Sequence, residues 1–163
     1  MSVVLRCAGD VPLDAPPVTQ EETLAFAERF LIWAWRRHAL EQAEPGLARL
    51  LPDAFRAASL TRAWTAFDAC GSLLAAARPC HLDLMQHRAG SLPDRKERAL
   101  LQATALLQAG APAPAAHALH GAFAPALARL LADPLGAFAR IYADSGYVLP
   151  IRLELMQTPC AVH

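Results

Sequence analysis

Cys70, Cys80, His81 and His87 form the densest group of soft-metal ligands in the chain. Thiolate and imidazole suit zinc, copper or iron, and four such groups can close a tetrahedral shell. Their spacing argues against it. Structural zinc sites usually draw their ligands in close pairs, and here only Cys80 and His81 are close, as neighbours that seldom both reach one ion. Cys70 also flanks the inward face of its helix, where a free cysteine packs as a small apolar residue. A packed cysteine and solvated loop histidines are the preferred expectation; a transition-metal or redox centre on these four residues is the alternative.

His117 and His120 stand three apart on a short helical stretch and point the same way, with His38 or a carboxylate as a possible third ligand. The Glu-x-x-His pairs of di-iron bundles and the His-Glu-x-x-His of zinc proteases are both missing, so surface or capping positions are expected for them. Cys7 and Cys160, with His163, lie in the two terminal segments and would meet if those segments paired. A reducing cytoplasm disfavours a disulfide between them.

No nucleophile is selected. Gly-x-Ser-x-Gly does not occur, and Asp144, Ser145 and Gly146 are ordinary turn residues. Neither phosphate-cradling glycine motif is present, so nucleotide binding by such a loop has no support. The expectation leans away from an enzyme, and no catalytic residue is assigned.

Charge excludes several partner classes. The formal net charge is +0, from 15 basic and 15 acidic residues, so no global field recruits nucleic acid or an anionic membrane. Basic residues gather at Arg36 and Arg37 and again from Arg88 to Arg98, but Asp94 and Glu97 dilute the second group and no exposed aromatics are interleaved. The 55% hydrophobic content is not organised into the roughly 20 consecutive apolar residues that span a bilayer. The first residues lack the long apolar core of a secretory signal, and a bacterial cytoplasmic location with reduced thiols is expected.

The remaining chemistry is aromatic. Phe26, Phe30, Trp33, Trp35, Trp64 and Phe67 form a stripe that lines either a core, a pocket between helices or a contact surface. Arg37 lies one turn beyond Trp33, inside the apolar arc and placed to stack on that ring.

The elements that must position these residues are mostly helical. Thr19 to Leu40 is expected to be the organising helix, opened by a capping box of Thr19 and Glu22. Leu24, Leu31 and Trp35 share one of its faces, while Phe26, Phe30, Trp33 and Leu40 share another. An apolar arc that wide demands neighbours on two sides, within the bundle or in a dimer. Glu41 to Pro52 is expected to hold a short helix. Asp53 to Ala77 reads as a second long one, with Leu60, Ala63, Trp64, Phe67, Gly71 and Leu74 at three-and-four spacing and Gly71 permitting close approach.

Arg78 to Leu92 reads as a connection. A third helix, launched by Ser91, Pro93 and Asp94, is expected to run to Ala109 and stop at Gly110, with Leu100, Ala103, Thr104 and Leu107 inward and Glu97, Arg98 and Leu101 nearer solvent. After a turn at Ala111 to Pro114, helical stretches are expected from Ala115 to His120, Ala122 to Ala132, and Pro134 to Ala143. Ile151 to Leu155 alternates with period two and is expected to pair as a strand with Ser2 to Cys7 or with its copy in a dimer. The fold class is thus an all-α compact bundle of five to seven helices in one domain over 1–163, with minor β pairing from the terminal segments 1–18 and 147–163.

Three functions fit. The first is a non-catalytic interaction or regulatory module, a homodimer using the aromatic face of the first helix or the 151–155 strand. The second is the metal or redox centre at Cys70, Cys80, His81 and His87. The third is a small-molecule sensor with a pocket beside Trp33 and Trp64.

Overall fold

The computed structural model describes residues 24–44, 46–47, 49–77 and 91–152. Six helices lie among them: α1 (Phe26–Ala43), α2 (Leu51–Ala57), α3 (Thr61–Ala76), α4 (Arg95–Gln108), α5 (Pro112–His120) and α6 (Pro125–Asp144). The protein is all-α over the described residues, which contain no strand. The strand pairing of the termini falls largely outside them, since Ser2 to Cys7 and residues 153–155 are not described.

The helix most enclosed by others is α4. Leu100 to Leu106 are buried without interruption, nearly two turns with no solvent face. It packs against α1, α5 and α6, while α3 and α6 make the most extensive helix pair. The organising role expected of the first helix therefore belongs to α4. Leu101 and Glu97, expected nearer solvent, are both buried. Of the polar side chains in this stretch, Thr104 Oγ1 donates to Leu100 O one turn back at 2.7 Å, and Gln102 Oε1 accepts from the distant Arg152 N at 3.3 Å.

Both α1 and α4 begin on a buried glutamate. Glu97 Oε2 accepts from Asp94 N at 2.9 Å while Asp94 Oδ1 accepts from Glu97 N at 2.7 Å, a complete capping box. At α1, Glu28 Oε2 accepts from Ala25 N at 2.8 Å; alanine offers no oxygen in return, so only half the motif forms. Leu24 and Ala25 are not helical, which moves the start of the first helix to Phe26 and leaves Thr19 and Glu22 outside the described residues. Its end extends past Leu40 to Ala43, and none of the described residues among 44–50 is helical.

The expected second helix is two. Ser59 has φ 59°, and Leu60 N and Ser59 N donate back to Phe55 O (2.7 Å) and Arg56 O (3.0 Å), closing a Schellman turn between α2 and α3. Leu60 and Phe55, the pair that such a turn brings together, are fully buried. Asp53 consequently lies within α2, and Pro52 opens that helix rather than stopping one. The same turn ends α4 at Gly110 (φ 73°) and α6 at Gly146 (φ 89°).

Prolines correct two further boundaries. Pro112 stands in the first turn of α5, where a missing N–H costs nothing, so the helix begins there instead of at Ala115. Pro134 lies inside α6, which runs unbroken from Pro125. Burial of Leu131, Leu135, Phe138 and Tyr142 on one stripe holds the helix together across a residue that disfavours it by about 3 kcal/mol.

Aromatic rings close a circuit through the core. Phe30, Phe55, Phe67, Phe138, Tyr142 and Tyr147 succeed one another at centroid distances of 5.5, 4.8, 5.7, 5.0 and 4.9 Å, and Tyr147 returns to Phe30 at 6.2 Å. Such pairs add about 0.5–1.5 kcal/mol each beyond area burial. The circuit joins α1, α2, α3, α6 and the segment after α6. Tyr142 Oη also donates to Ala27 O at 2.9 Å, and Tyr147 Oη to Ala58 O at 3.0 Å. No helix among the described residues is long and apolar enough to cross a membrane.

Candidate functional site

The aromatic stripe divides between core and surface. Trp35 is 6% exposed and stacks on Phe67 at 4.2 Å, whereas Trp33, two residues earlier, is 41% exposed and Phe26 is 62% exposed. A step of two residues turns a helix by about 200°, which puts the two tryptophans on opposite sides. Phe26, Phe30 and Trp33 touch in sequence along the outer side of α1, at 6.4 and 5.9 Å. Tyr147 meets both Phe26 (6.3 Å) and Phe30 (6.2 Å), and Val148 beside it is exposed. The result is one continuous apolar surface over α1 and the segment following α6.

Trp64 belongs to the inner end of this set. It contacts Phe55 at 5.3 Å and Phe67 at 6.0 Å, and a path of ring contacts through Phe55 and Phe30 links it to Trp33. Arg37 Nε donates to Glu41 Oε1 at 2.8 Å, and the same oxygen accepts from Leu50 N at 2.9 Å. Arg37 thereby helps to hold the end of α1 to the start of α2.

Of the proposed metal ligands, Cys70 alone is described; Cys80, His81 and His87 lie outside the described residues. Cys70 is a buried free thiol whose pKa burial raises to about 12, the behaviour of a packed apolar side chain rather than of a reactive one. No group of three or more metal-ligating side chains assembles among the described residues. His117 and His120 are exposed in the last turn of α5. Cys7, Cys160 and His163 are not described.

Sequence reasoning gave little weight to His38, which is buried on α1. Asp68 Oδ1 accepts from His38 Nε2 at 3.1 Å, and the ring meets Phe67 edge-on at 5.9 Å. It lies flat against Gly71: a Cβ there would stand 2.5 Å from Cε1 and 2.6 Å from either ring nitrogen. The close approach expected at Gly71 is thus made by an imidazole. The signal available in sequence was the inward glycine next to Cys70; nothing marked its partner.

The basic residues are similarly absorbed. Arg36 donates from Nε and Nη2 to both oxygens of Glu97, at 2.8 and 3.0 Å, and from Nη2 to Ser91 O at 3.0 Å. Arg95 bonds Gly121 O. Arg36 therefore spans α1 and the entry to α4, while Arg88 is outside the described residues.

Comparison with known protein families, with curated proteins and with solved structures finds no match to this chain.

Two outcomes follow from the α1–α3 contact. Gly71→Ala should destabilise by roughly 1–3 kcal/mol, because overpacking against His38 outweighs the ~1 kcal/mol that alanine contributes in helix propensity. Urea unfolding checks the sign, and a gain in stability would show that the imidazole moves aside without loss. Because the Cys70 thiol is raised from 9.0 to about 12, its share of stability is whole below pH 9 and is lost as pH rises from there toward 12. Cys70→Ala should flatten the unfolding free energy over that window relative to wild type.

Proposed function

We propose that this protein is a non-catalytic interaction module that docks on a second copy of itself through the outer face of α1. The observation that carries the reading is the continuous surface of Phe26, Phe30 and Trp33, extended by Tyr147 and Val148, on a helix whose opposite side is buried. Single exposed apolar residues are ordinary, but adjoining aromatic rings form the kind of patch that other molecules cover. Aromatic anchors of this sort dominate binding energy at interfaces.

Charge is compatible with self-association. With 15 basic and 15 acidic residues, two copies approach without net repulsion. Cations beside the stripe are engaged within the chain: Arg29 donates to Leu24 O at 2.8 Å, and Arg37, one turn beyond Trp33 on the same face, donates to Glu41 at 2.8 Å. A symmetric dimer would place the same rings from both copies against one another. This reading takes the aromatic surface, rather than the 151–155 strand, as the contact.

Sedimentation equilibrium provides the check. Wild-type protein should associate to a dimer, and Trp33→Glu should weaken association by at least about tenfold, a loss of 1.4 kcal/mol or more. The variant should retain its far-UV circular dichroism, since Trp33 is 41% exposed. A wild-type protein that stays monomeric across the accessible concentration range would refute the reading.

A further inference from the structure

Residues Tyr147–Arg152 leave α6 after Gly146 as a non-helical segment bonded to side chains of α4 and of the first turn of α1. Its backbone is read by glutamine side chains. Gln108 Nε2 donates to Tyr147 O at 2.9 Å and Gln108 Oε1 accepts from Leu149 N at 2.8 Å, so one amide pairs with the segment as the edge of a strand would. Six residues earlier on α4, Gln102 Oε1 accepts from Arg152 N. Between these grips the Leu149 side chain is buried, while Val148 and Ile151 face outward. At the far end Arg152 Nε and Nη2 each donate to an oxygen of Glu28 at 2.7 Å, on a carboxylate that is almost wholly enclosed.

The second grip is incomplete. Gln102 is 4% exposed and its Nε2 is buried without a hydrogen-bond partner among the described residues. Its one bond to the segment, at 3.3 Å, is longer than the two made by Gln108. The channel thus offers a donor that its present occupant does not use.

We propose that this channel is a recognition site for an extended protein segment bearing a leucine and, three residues further on, an arginine, and that the chain's own Tyr147–Arg152 fills it intramolecularly. The amides supply backbone affinity without regard to sequence; the Leu149 socket and the Glu28 carboxylate supply selectivity. A competing segment that presents a carbonyl to Gln102 makes the bond the internal one lacks. Because Tyr147 rests on Phe26 and Phe30, displacement also uncovers those rings, but the channel's binding does not depend on what the aromatic face does.

The test is fluorescence anisotropy with a labelled Tyr-Val-Leu-Pro-Ile-Arg peptide, titrated with full-length wild type and with full-length Arg152→Glu and Leu149→Ala. Weakening the internal occupant frees the site, so the peptide should bind at least about tenfold tighter to the variants than to wild type. A peptide with glutamate in place of the arginine should lose that binding. Two results overturn the proposal: no gain in either variant with circular dichroism unchanged, or loss of cooperative unfolding in both, which would make the segment an inseparable part of the core.

Discussion

Glu28 is the point at which the rest of the structure is tied. It is 2% exposed, one turn into α1, and its carboxylate accepts from Ala25 N and from two nitrogens of Arg152. A carboxylate taken out of water in this way is tolerable only if its oxygens are satisfied, and removing either partner would leave a buried charge costing several kcal/mol. The arrangement sets where α1 begins, and hence which way Phe26, Phe30 and Trp33 point. It also anchors the segment whose Tyr147 completes the aromatic circuit. Glu97 repeats the device at α4 with Asp94 and Arg36, so the two helices are each capped and cross-tied through a single side chain.

Between these anchors the fold inverts the hierarchy that large residues suggest. The first helix carries more aromatic residues than any other helix, Phe26, Phe30, Trp33 and Trp35, yet one side of it lies at the surface; α4, whose middle is built from leucine, alanine, Gln102 and Thr104, is the enclosed one. Alanine and threonine among its leucines permit three helices to close around α4, where Thr104 donates to Leu100 O and Gln102 Oε1 accepts from Arg152 N of the segment after α6. Glu97 reads as a solvent residue in sequence because its partner, Arg36, is distant in the chain and only the fold brings the two together.

The helical class and the glycine stops at Gly110 and Gly146 were legible because each is decided locally, by periodicity and by a backbone conformation glycine favours. Ser59 was not, since a serine in the left-handed region gives no signal and the turn is stabilised by Leu60 and Phe55 beneath it. Pro134 misled for the opposite reason: a strong local signal was overridden by the stripe it interrupts. At the candidate site, the aromatic set was found, and periodicity separated Trp35 from Trp33, but which side met the bundle depended on α3 and α6. The glutamines that grip Tyr147–Arg152 carried no signal, because a side-chain amide pairing with backbone depends on placement rather than on spacing.

What unites these features is a helix buried on one side, fastened at its first turn and left apolar on its outer side. Wild-type protein labelled with 5-fluorotryptophan tests this most directly, by fluorine NMR followed on dilution. The Trp33 resonance should move as copies separate, while those of Trp35 and Trp64, which are packed against Phe67, should hold their positions. Three resonances that stay fixed across the full dilution range would contradict an outer face made to be covered.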